Sequence, residues 1–458
     1  MKITVIGSGP GGYETAIYAA KCGAEAVLIE KGSVGGTCLN VGCIPTKALL
    51  AASDAMNVIQ KSKEFAITLD GTATQDYAGV IARKDKVVTG LVSGVEYTLN
   101  ANGVKLVRGF GSVKDKNTVV VKLTEGGEEE IKTDAIILAT GSVPTTPGFL
   151  PVDGETIITS NEMLSLTTMP KSMIIIGGGV IGCEIGQFLA RMGSEVTIVE
   201  MLPHLLPPED EDTAKVLEKQ FRKEKIKSIC GNGVSKVEKV AGGVKATLGD
   251  GTELEAEKML VAIGRRPYTE NLGLENVGIE LNERGFVPTD DTMKTKVDGI
   301  YAIGDITTSL QLAHVASKEG FVAVDNILGN ANHIDYTAIP RCVYTEPEIA
   351  SVGTSEQELK KAGTEYKTGT FSFMASGKAK TAGKTDGFCK VIVDTNDVII
   401  GGVVVGAHAT DMIQILTIAV HGRMTAHDMG QIIFPHPTMS EGIMEAVHDV
   451  HGKSVHKV

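Results

Sequence analysis

The sequence predicts an α/β protein with two Rossmann-like dinucleotide-binding βαβ units and a separate C-terminal α+β domain. An internal repeat, an excess of glycine and a change of strand pattern late in the chain carry that reading. At 458 residues the chain is about three times a typical domain, long enough for several cores. Its 42% hydrophobic and 22% charged residues are ordinary for a folded protein. Its 54 glycines are not: the usual share is ~7%, and no three-residue period accompanies them, so tight turns and close approaches of backbone to ligand are expected.

The repeat is read by comparing KITVIGSGPGGYETAIYAAKCGAEAVLIE from Lys2 with SMIIIGGGVIGCEIGQFLARMGSEVTIVE from Ser172. A constant offset of 170 superposes Gly7, Gly9 and Gly12 on Gly177, Gly179 and Gly182, and Glu30 on Glu200. Each copy reads as an apolar strand, a GxGxxG turn, a helix and a second strand ending in glutamate. The first glycine makes the tight turn, the second lets backbone approach a pyrophosphate, and the third lets helix pack on strand. The terminal carboxylate is placed to accept from ribose hydroxyls, and the helix N-terminus faces the phosphate charge. Ala135 to Gly141 (AIILATG) and Met259 to Gly264 (MLVAIG) each read as a strand closing one unit.

Gly299 to Asp305 (GIYAIGD) is a further strand, and Asp305 is either a turn former or a contact to cofactor hydroxyls. After Pro340 come alternating strands, Phe388 to Val393 and Val398 to Val405, then an amphipathic helix from Asp411 to His421. The expected division is residues 1–142 with 269–337 for the first dinucleotide and central domain, 143–268 for the second, and 338–458 for the C-terminal domain.

The net charge of −12 provides no basic field for nucleic acid. Apolar runs are too short to span a bilayer. The strand pattern begins by Ile3, which leaves no room for a leader, and seven cysteines make a poor disulfide framework, so a cytoplasmic chain is expected. Any disulfide is then catalytic rather than structural.

Cys38 and Cys43 in GGTCLNVGCIPTKALL are the candidates. On a regular helix five positions turn the side chain by roughly 140° and raise it about 7.5 Å, beyond the Cα separation of ~4.4 to 6.8 Å a disulfide tolerates. A bond between them needs a distorted helix start, which Gly42 and Pro45 permit. A helix N-terminus there also favours thiolate. Two buried reduced cysteines are the bland alternative. At the other end, FPHPTMSE holds His436 between two prolines, with Glu441 five residues on. A carboxylate on one ring nitrogen sets the tautomer and strengthens the other as a base, so a Cys/His relay is expected.

The set GGTCLNVGCIPTK, GGGVIGCE, ATGS, GIYAIGD, LAHVASKEG and HPTMSE resembles the pyridine nucleotide-disulfide oxidoreductases over the whole chain, most closely the dihydrolipoamide dehydrogenases among them. The resemblance implies FAD on the first unit and a pyridine nucleotide on the second. It implies Cys38 as the thiol exchanging with substrate, Cys43 as the thiolate beside the flavin, and Lys47 as the flavin-side lysine paired with Glu184. It carries FAD contacts to Gly7, Gly9, Gly12, Glu30, Gly36, Thr37, Gly111, Thr140, Gly141, Ser142, Asp305, Gln311, Leu312, Ala313 and His314, and nucleotide contacts to Gly177, Gly179, Gly182, Glu200 and Gly264. It further implies a homodimer through the C-terminal domain, with His436 and Glu441 reaching the other subunit's cysteines. The implied substrate is dihydrolipoamide on a lipoyl domain or carrier protein of a 2-oxo acid dehydrogenase or glycine-cleaving complex.

Within the family, Glu200 followed by Met201, Leu202 and Pro203 repels a 2′-phosphate, which favours NAD. Val180 stands where glutathione reductases place tyrosine, and the last cysteine is Cys389, which disfavours a mercuric reductase. A glutathione reductase-like enzyme is the alternative, and a flavin-domain scaffold the alternative from another class. IIFPHPTMSE departs from the family's usual lead-in at Pro435. Cys22, Cys183, Cys230, Cys342 and Cys389 are expected to pack in cores or along helices. No metal site is expected: His448, His451 and His456 read as a solvated tail.

Overall fold

The computed structural model describes residues 1–308 and 310–457. Strand β1 (Lys2–Ile6), helix α1 (Pro10–Lys21) and strand β2 (Glu25–Glu30) form the first βαβ unit. After it come two helices, α2 (Gly36–Val41) and α3 (Cys43–Gln60), then the long α4 (Tyr77–Ala101). Strands β3 (Lys105–Asp115), β4 (Thr118–Leu123), β5 (Glu128–Lys132) and β6 (Ala135–Leu138) complete this part. The sheet runs Ile300–Ala302, β6, β1, β2, β3, β4, β5. Its first five strands are parallel, with Ile3 opposite both Ala26 and Ala135, whereas β4 and β5 join antiparallel. The parallel strands are buried on both faces, which is why β6 (AIIL) reads as an unbroken apolar run and even Thr4 of β1 is fully buried.

The second unit repeats the order. Ile157–Ile158, Lys258–Val261, Ser172–Ile176, Glu195–Glu200 and Lys227–Cys230 lie side by side, all parallel. As expected, Lys258–Val261 closes this unit where β6 closes the first. A three-stranded antiparallel sheet, Val234–Val240, Gly243–Leu248 and Glu253–Ala256, covers one side of it. A short ribbon pairing Ser142–Pro144 with Arg265–Pro267 joins the two units.

The C-terminal part is a five-stranded antiparallel sheet in the order Arg341–Val343, Glu348–Gly353, Ile399–Gly406, Phe388–Val393, Lys367–Ser372. Helices Ala409–His421 and Glu441–Asp449 pack on it around Val391, Val404, Leu416 and Ile443, all fully buried. Each such side chain contributes roughly 1.5 to 3 kcal/mol when taken from water.

One sequence expectation is corrected. Cys22 is exposed at the C-terminus of α1 rather than packed, while Cys183 and Cys389 are buried and Cys230 and Cys342 partly so. The terminal residues are largely exposed, as expected, with His451 and His456 on the surface and His448 half-buried, but the rings also make specific contacts. His456 Nδ1 lies 2.6 Å from buried Glu445, whose other oxygen accepts from Ser454 Oγ, and His451 pairs with Asp397 at 3.2 Å. Buried Glu445 needs donors, and the last residues fold back to supply them. Among the described residues no group of three or more His, Cys, Asp or Glu is placed to hold a metal ion. No described helix is long and apolar enough to cross a membrane.

Candidate active site

The first glycine turn is built as its spacing demands. Gly7 has φ +103°, and a Cβ there would lie 2.3 Å from the Ala139 carbonyl oxygen. Gly9 faces open space, which leaves its backbone approachable. A Cβ on Gly12 would meet Gly7 O at 1.8 Å, so the third glycine clears the turn itself as well as the strand. Glu30 secures the turn: its Oε2 accepts from Ser8 N at 2.9 Å and Ser8 Oγ at 2.7 Å, and its Oε1 accepts from Gly32 N at 2.6 Å. Three of its roughly four acceptor positions are used, so one is left for a ribose hydroxyl. A cleft beside Glu30 is floored by Gly111, where a Cβ would crowd Ile29 and Ile6, and walled by Tyr268. Lys31 Nζ sits 3.8 Å from the Tyr268 ring centroid.

In the second turn Gly177 has φ +107° and Gly182 would meet Gly177 O at 2.0 Å. Glu200, 8% exposed, accepts from Gly178 N at 2.7 Å and Leu202 N at 2.8 Å. Gly179 again faces open space, and Gly264 turns at φ +117° with nothing beside it.

The cysteine pair sits where the helix breaks. α2 ends at Val41, Gly42 takes φ −146° and ψ −117°, and α3 begins at Cys43. A Cβ on Gly42 would come within 2.8 Å of Thr37 O, so the break requires glycine. Both cysteines carry free thiols, and each shifts the other's titration. Donation to Cys43, with burial, pushes the Cys38 thiol well above its ordinary range. Cys43 is lowered to about 7, chiefly because it accepts from Cys38 and then because Lys47 lies close, while burial opposes the shift. The two shifts run in opposite directions, favouring the proton on Cys38 and the charge on Cys43.

Lys47 stands one turn into α3 and bonds Glu184 Oε2 at 2.7 Å. Glu184 Oε1 accepts from Tyr344 N at 2.9 Å, and the Lys47 ammonium also lies 4.3 Å from the Tyr344 ring centroid. Around the same centre, Ser142 Oγ donates to Asp305 Oδ2 at 2.5 Å. Thr140 Oγ1 donates to Tyr268 O, and Gly141 O accepts from Tyr268 N. Asp305 is the second residue of a short 3₁₀ turn, Gly304–Ile306, from which it reaches Ser142. Gln311 has φ +47°, Leu312 precedes the helix Ala313–Ile327 as its N-cap, and His314 Nε2 lies 3.0 Å from Pro340 O.

Arg265 was missed by sequence reasoning, though it follows Gly264 directly. It donates from Nε to Ser142 Oγ at 2.7 Å and from Nη2 to Ser142 O at 2.7 Å and Thr37 Oγ1 at 3.4 Å, and its carbonyl accepts from Gln311 Nε2 at 3.4 Å. Burial holds its guanidinium below its usual range despite nearby Asp305 and Cys43. One cation thus ties together segments that four separate motifs had marked. Its signal was an arginine set directly after a strand-ending glycine turn.

His436 Nδ1 lies 2.8 Å from Glu441 Oε1, and Thr438 N donates to Glu441 Oε2 at 2.8 Å. Burial works against ionisation of Glu441, but these two hydrogen bonds hold its carboxyl below the usual range. The His436–Pro437 peptide is cis, and the His436 side chain is 79% exposed. Within one chain no described hydrogen bond or ion pair joins His436 to the cysteine pair.

Residues 1–320 match the family described as pyridine nucleotide-disulphide oxidoreductase, and residues 339–447 match its dimerisation domain. The chain belongs to this family. Among similar proteins are the dihydrolipoyl dehydrogenases of Thermus scotoductus, 41% identical over 99% of this chain and 98% of that protein, and of Trypanosoma brucei brucei, 40% identical over 99% and 97%. Similar solved structures include LpdA from Mycobacterium tuberculosis, with TM-score 0.92 and 29% identity over 98% of this chain and 99% of that one. Another is the HOCl-induced flavoprotein disulfide reductase RclA from Escherichia coli, with TM-score 0.87 and 28% identity over 97% and 98%. The chain is an enzyme of the flavin disulfide oxidoreductase class, whose cofactors are FAD and NAD, and the dimerisation domain supports a homodimer. Its residues fit such cofactors: each glycine turn leaves its middle glycine facing open space, and each ends at a carboxylate with acceptor capacity to spare.

Proposed function

We propose that the protein oxidises dihydrolipoamide, borne by a lipoyl domain or lipoyl carrier protein, to lipoamide with NAD as acceptor. The observation that carries this reading is the Cys38–Cys43 pair set across a helix break at Gly42, with the Lys47–Glu184 ion pair one turn on, between two dinucleotide units. The curated relatives named dihydrolipoyl dehydrogenase support the choice of dithiol.

In the oxidised chain Cys38 and Cys43 are joined as a disulfide. His436 of the partner subunit, its Nδ1 held by Glu441, takes a proton from the substrate dithiol at Nε2. The resulting thiolate attacks Cys38 Sγ, the Cys38–Cys43 bond breaks, and Cys43 leaves as thiolate. The second substrate sulfur then attacks its partner sulfur and releases Cys38, which keeps that proton. Two electrons and two protons have left the substrate: one proton rests on His436, the other on Cys38, and the electron pair is held by the cysteines. That end state is the one the opposed shifts of the two thiols favour. Bound FAD supplies the two-electron chemistry that links Cys43 to NAD. Gly7, Gly9, Gly12, Glu30, Asp305 and the 311–314 segment would hold FAD, and Gly177, Gly179, Gly182 and Glu200 would hold NAD. Lys47, fixed by Glu184, places positive charge beside Cys43.

The use of His436 across the dimer rests on its exposure and on the dimerisation domain. We place the enzyme in the cytoplasm on its odd count of seven cysteines spread over a long chain, a poor framework for structural disulfides. The reading is tested by turnover of dihydrolipoamide with NAD against glutathione disulfide with either reduced nucleotide. Higher activity on glutathione disulfide would overturn it.

A further inference from the structure

The redox helix α3 and the second turn helix, Val180–Met192, meet along a seam whose polar contacts repeat. Glu184, Gln187 and Arg191 are spaced three and four residues apart, so they share one face of that helix. Glu184 grips Lys47 and the Tyr344 backbone, as above. Gln187, fully buried, accepts from Glu346 N at 2.7 Å and donates to Glu346 O at 2.8 Å. Arg191 donates to Asp54 Oδ1 at 2.5 Å, to Glu346 Oε2 at 2.8 Å, and to both oxygens of Glu224 at 2.7 and 3.1 Å. On α3 the match is residue for residue: Lys47 and Asp54 are seven apart, as are Glu184 and Arg191, with the charges exchanged between helices. Asn57 donates to Glu346 Oε2 at 2.6 Å, and Lys384 bonds Glu346 from the C-terminal domain.

Two rungs roughly 10.5 Å apart along parallel helices therefore join the first unit, the second unit and the 344–346 segment. Each helix starts at a chemical end, α3 at Cys43 and its neighbour at the second glycine turn. A single rung at Lys47–Glu184 would be a pivot; two rungs fix a line. Arg191, its side chain 7% exposed, faces three carboxylates, and without it Glu346 keeps the Lys384 bond and nearby Lys61 while Asp54 and Glu224 lose their ion pair.

We propose that Arg191 is a positioning residue that fixes the separation of the flavin-side redox helix from the nicotinamide-nucleotide site by locking the far end of this seam. The proposal rests on the assignment of FAD to the first unit and NAD to the second. It is tested on the holoenzyme by rapid mixing, with the two half-reactions read separately as flavin bleaching. NADH must deliver its electrons across the seam, whereas the dithiol delivers them beside α3 itself. In Arg191→Met the NADH half-reaction should slow by about tenfold or more while the dithiol half-reaction changes by less than about twofold, since small misplacements of reacting groups cost that much. Arg191→Lys should recover most of the loss, and in apoprotein the amides of residues 47–57 should exchange faster in Arg191→Met. Equal slowing of both half-reactions, no slowing, or no recovery by lysine would overturn the proposal. Should Arg191→Met not fold, Glu346→Gln carries the same test, with a smaller selective slowing expected and an equal slowing contradicting it. A wild-type protein that NADH does not reduce at all would count instead against the cofactor assignment.

Discussion

The two βαβ copies share a turn and differ in what surrounds it. Gly7 and Gly177 have φ of +103° and +107°, and a Cβ on either would lie 2.3 Å from a carbonyl oxygen of the neighbouring strand's end, that of Ala139 or Ala262. The surroundings diverge at the glutamates. Glu30 is half-buried and bonds Ser8 through both its N–H and its hydroxyl, and a Cβ on Gly36 would lie 2.7 Å from Gly9 Cα, so the start of the redox segment sits against the first turn. Glu200 is buried, and the loop after it folds back so that Leu206 N donates to Gly178 O at 2.8 Å. One copy hands directly into the cysteine helix; the other closes over its own turn. A repeated sequence motif thus fixes a binding geometry, while the residues after it decide which chemistry the unit joins.

The largest effects are expected at the redox pair, which only the first copy has. Cys43→Ser should abolish dithiol-dependent reduction of NAD, measured as NADH formation, and Cys38→Ser should do the same while leaving a thiolate at Cys43 that iodoacetamide still alkylates. Residual dithiol turnover in either would break the link between the first copy and the chemistry. His436→Gln should slow dithiol oxidation by roughly 10² to 10⁴-fold, the usual worth of a general base, with far less effect on flavin reduction by NADH.

Glycine substitutions test the division of labour between the copies. Gly12→Ala and Gly182→Ala force a methyl to within 1.8 and 2.0 Å of a turn carbonyl, so each should distort only its own turn. The expected outcomes are loss of bound flavin in the first, read by absorbance after gel filtration, and retained flavin with weakened NADH reduction in the second. Flavin loss from Gly182→Ala would show that the copies are not assigned as argued. The smallest effect concerns nucleotide choice: NADH should be preferred to NADPH by at least about tenfold, or 1.4 kcal/mol. Glu200→Arg should narrow that ratio, and because Glu200 also holds Gly178 N and Leu202 N, it should cost about 1 to 3 kcal/mol of stability in denaturant unfolding. Proton dependence sharpens the picture of Cys43. Its thiolate, favoured down to about 7, should be lost as pH falls through that value, so alkylation of the reduced protein should slow below it; half-maximal alkylation near the ordinary thiol range would contradict the lowered Cys43 thiol.

The two nucleotide turns, the broken helix at Gly42 and the His436–Glu441 contact were legible because each is local: glycine spacing, proline placement and a five-residue step carry their own geometry. The Lys47–Glu184 pair was reachable only through resemblance, since nothing in the intervening sequence brings residues 47 and 184 together. Arg265 and Arg191 were not legible for the same reason. A surface-type residue becomes a buried hub only once tertiary folding surrounds it with Ser142 and Thr37, or with Asp54, Glu224 and Glu346. The exposed terminal histidines were read as such, but their contact with Glu445 was not legible, because the burial of Glu445 that draws the tail back is a property of packing.

The central claim is that a dithiol reduces the cysteine pair on one side and NAD removes the electrons on the other, without the two substrates meeting. Initial rates measured over a grid of dihydrolipoamide and NAD concentrations test it most directly. The account predicts parallel double-reciprocal lines, the mark of a reduced enzyme formed between substrates. Lines that intersect, showing that both substrates must be bound together, would contradict it.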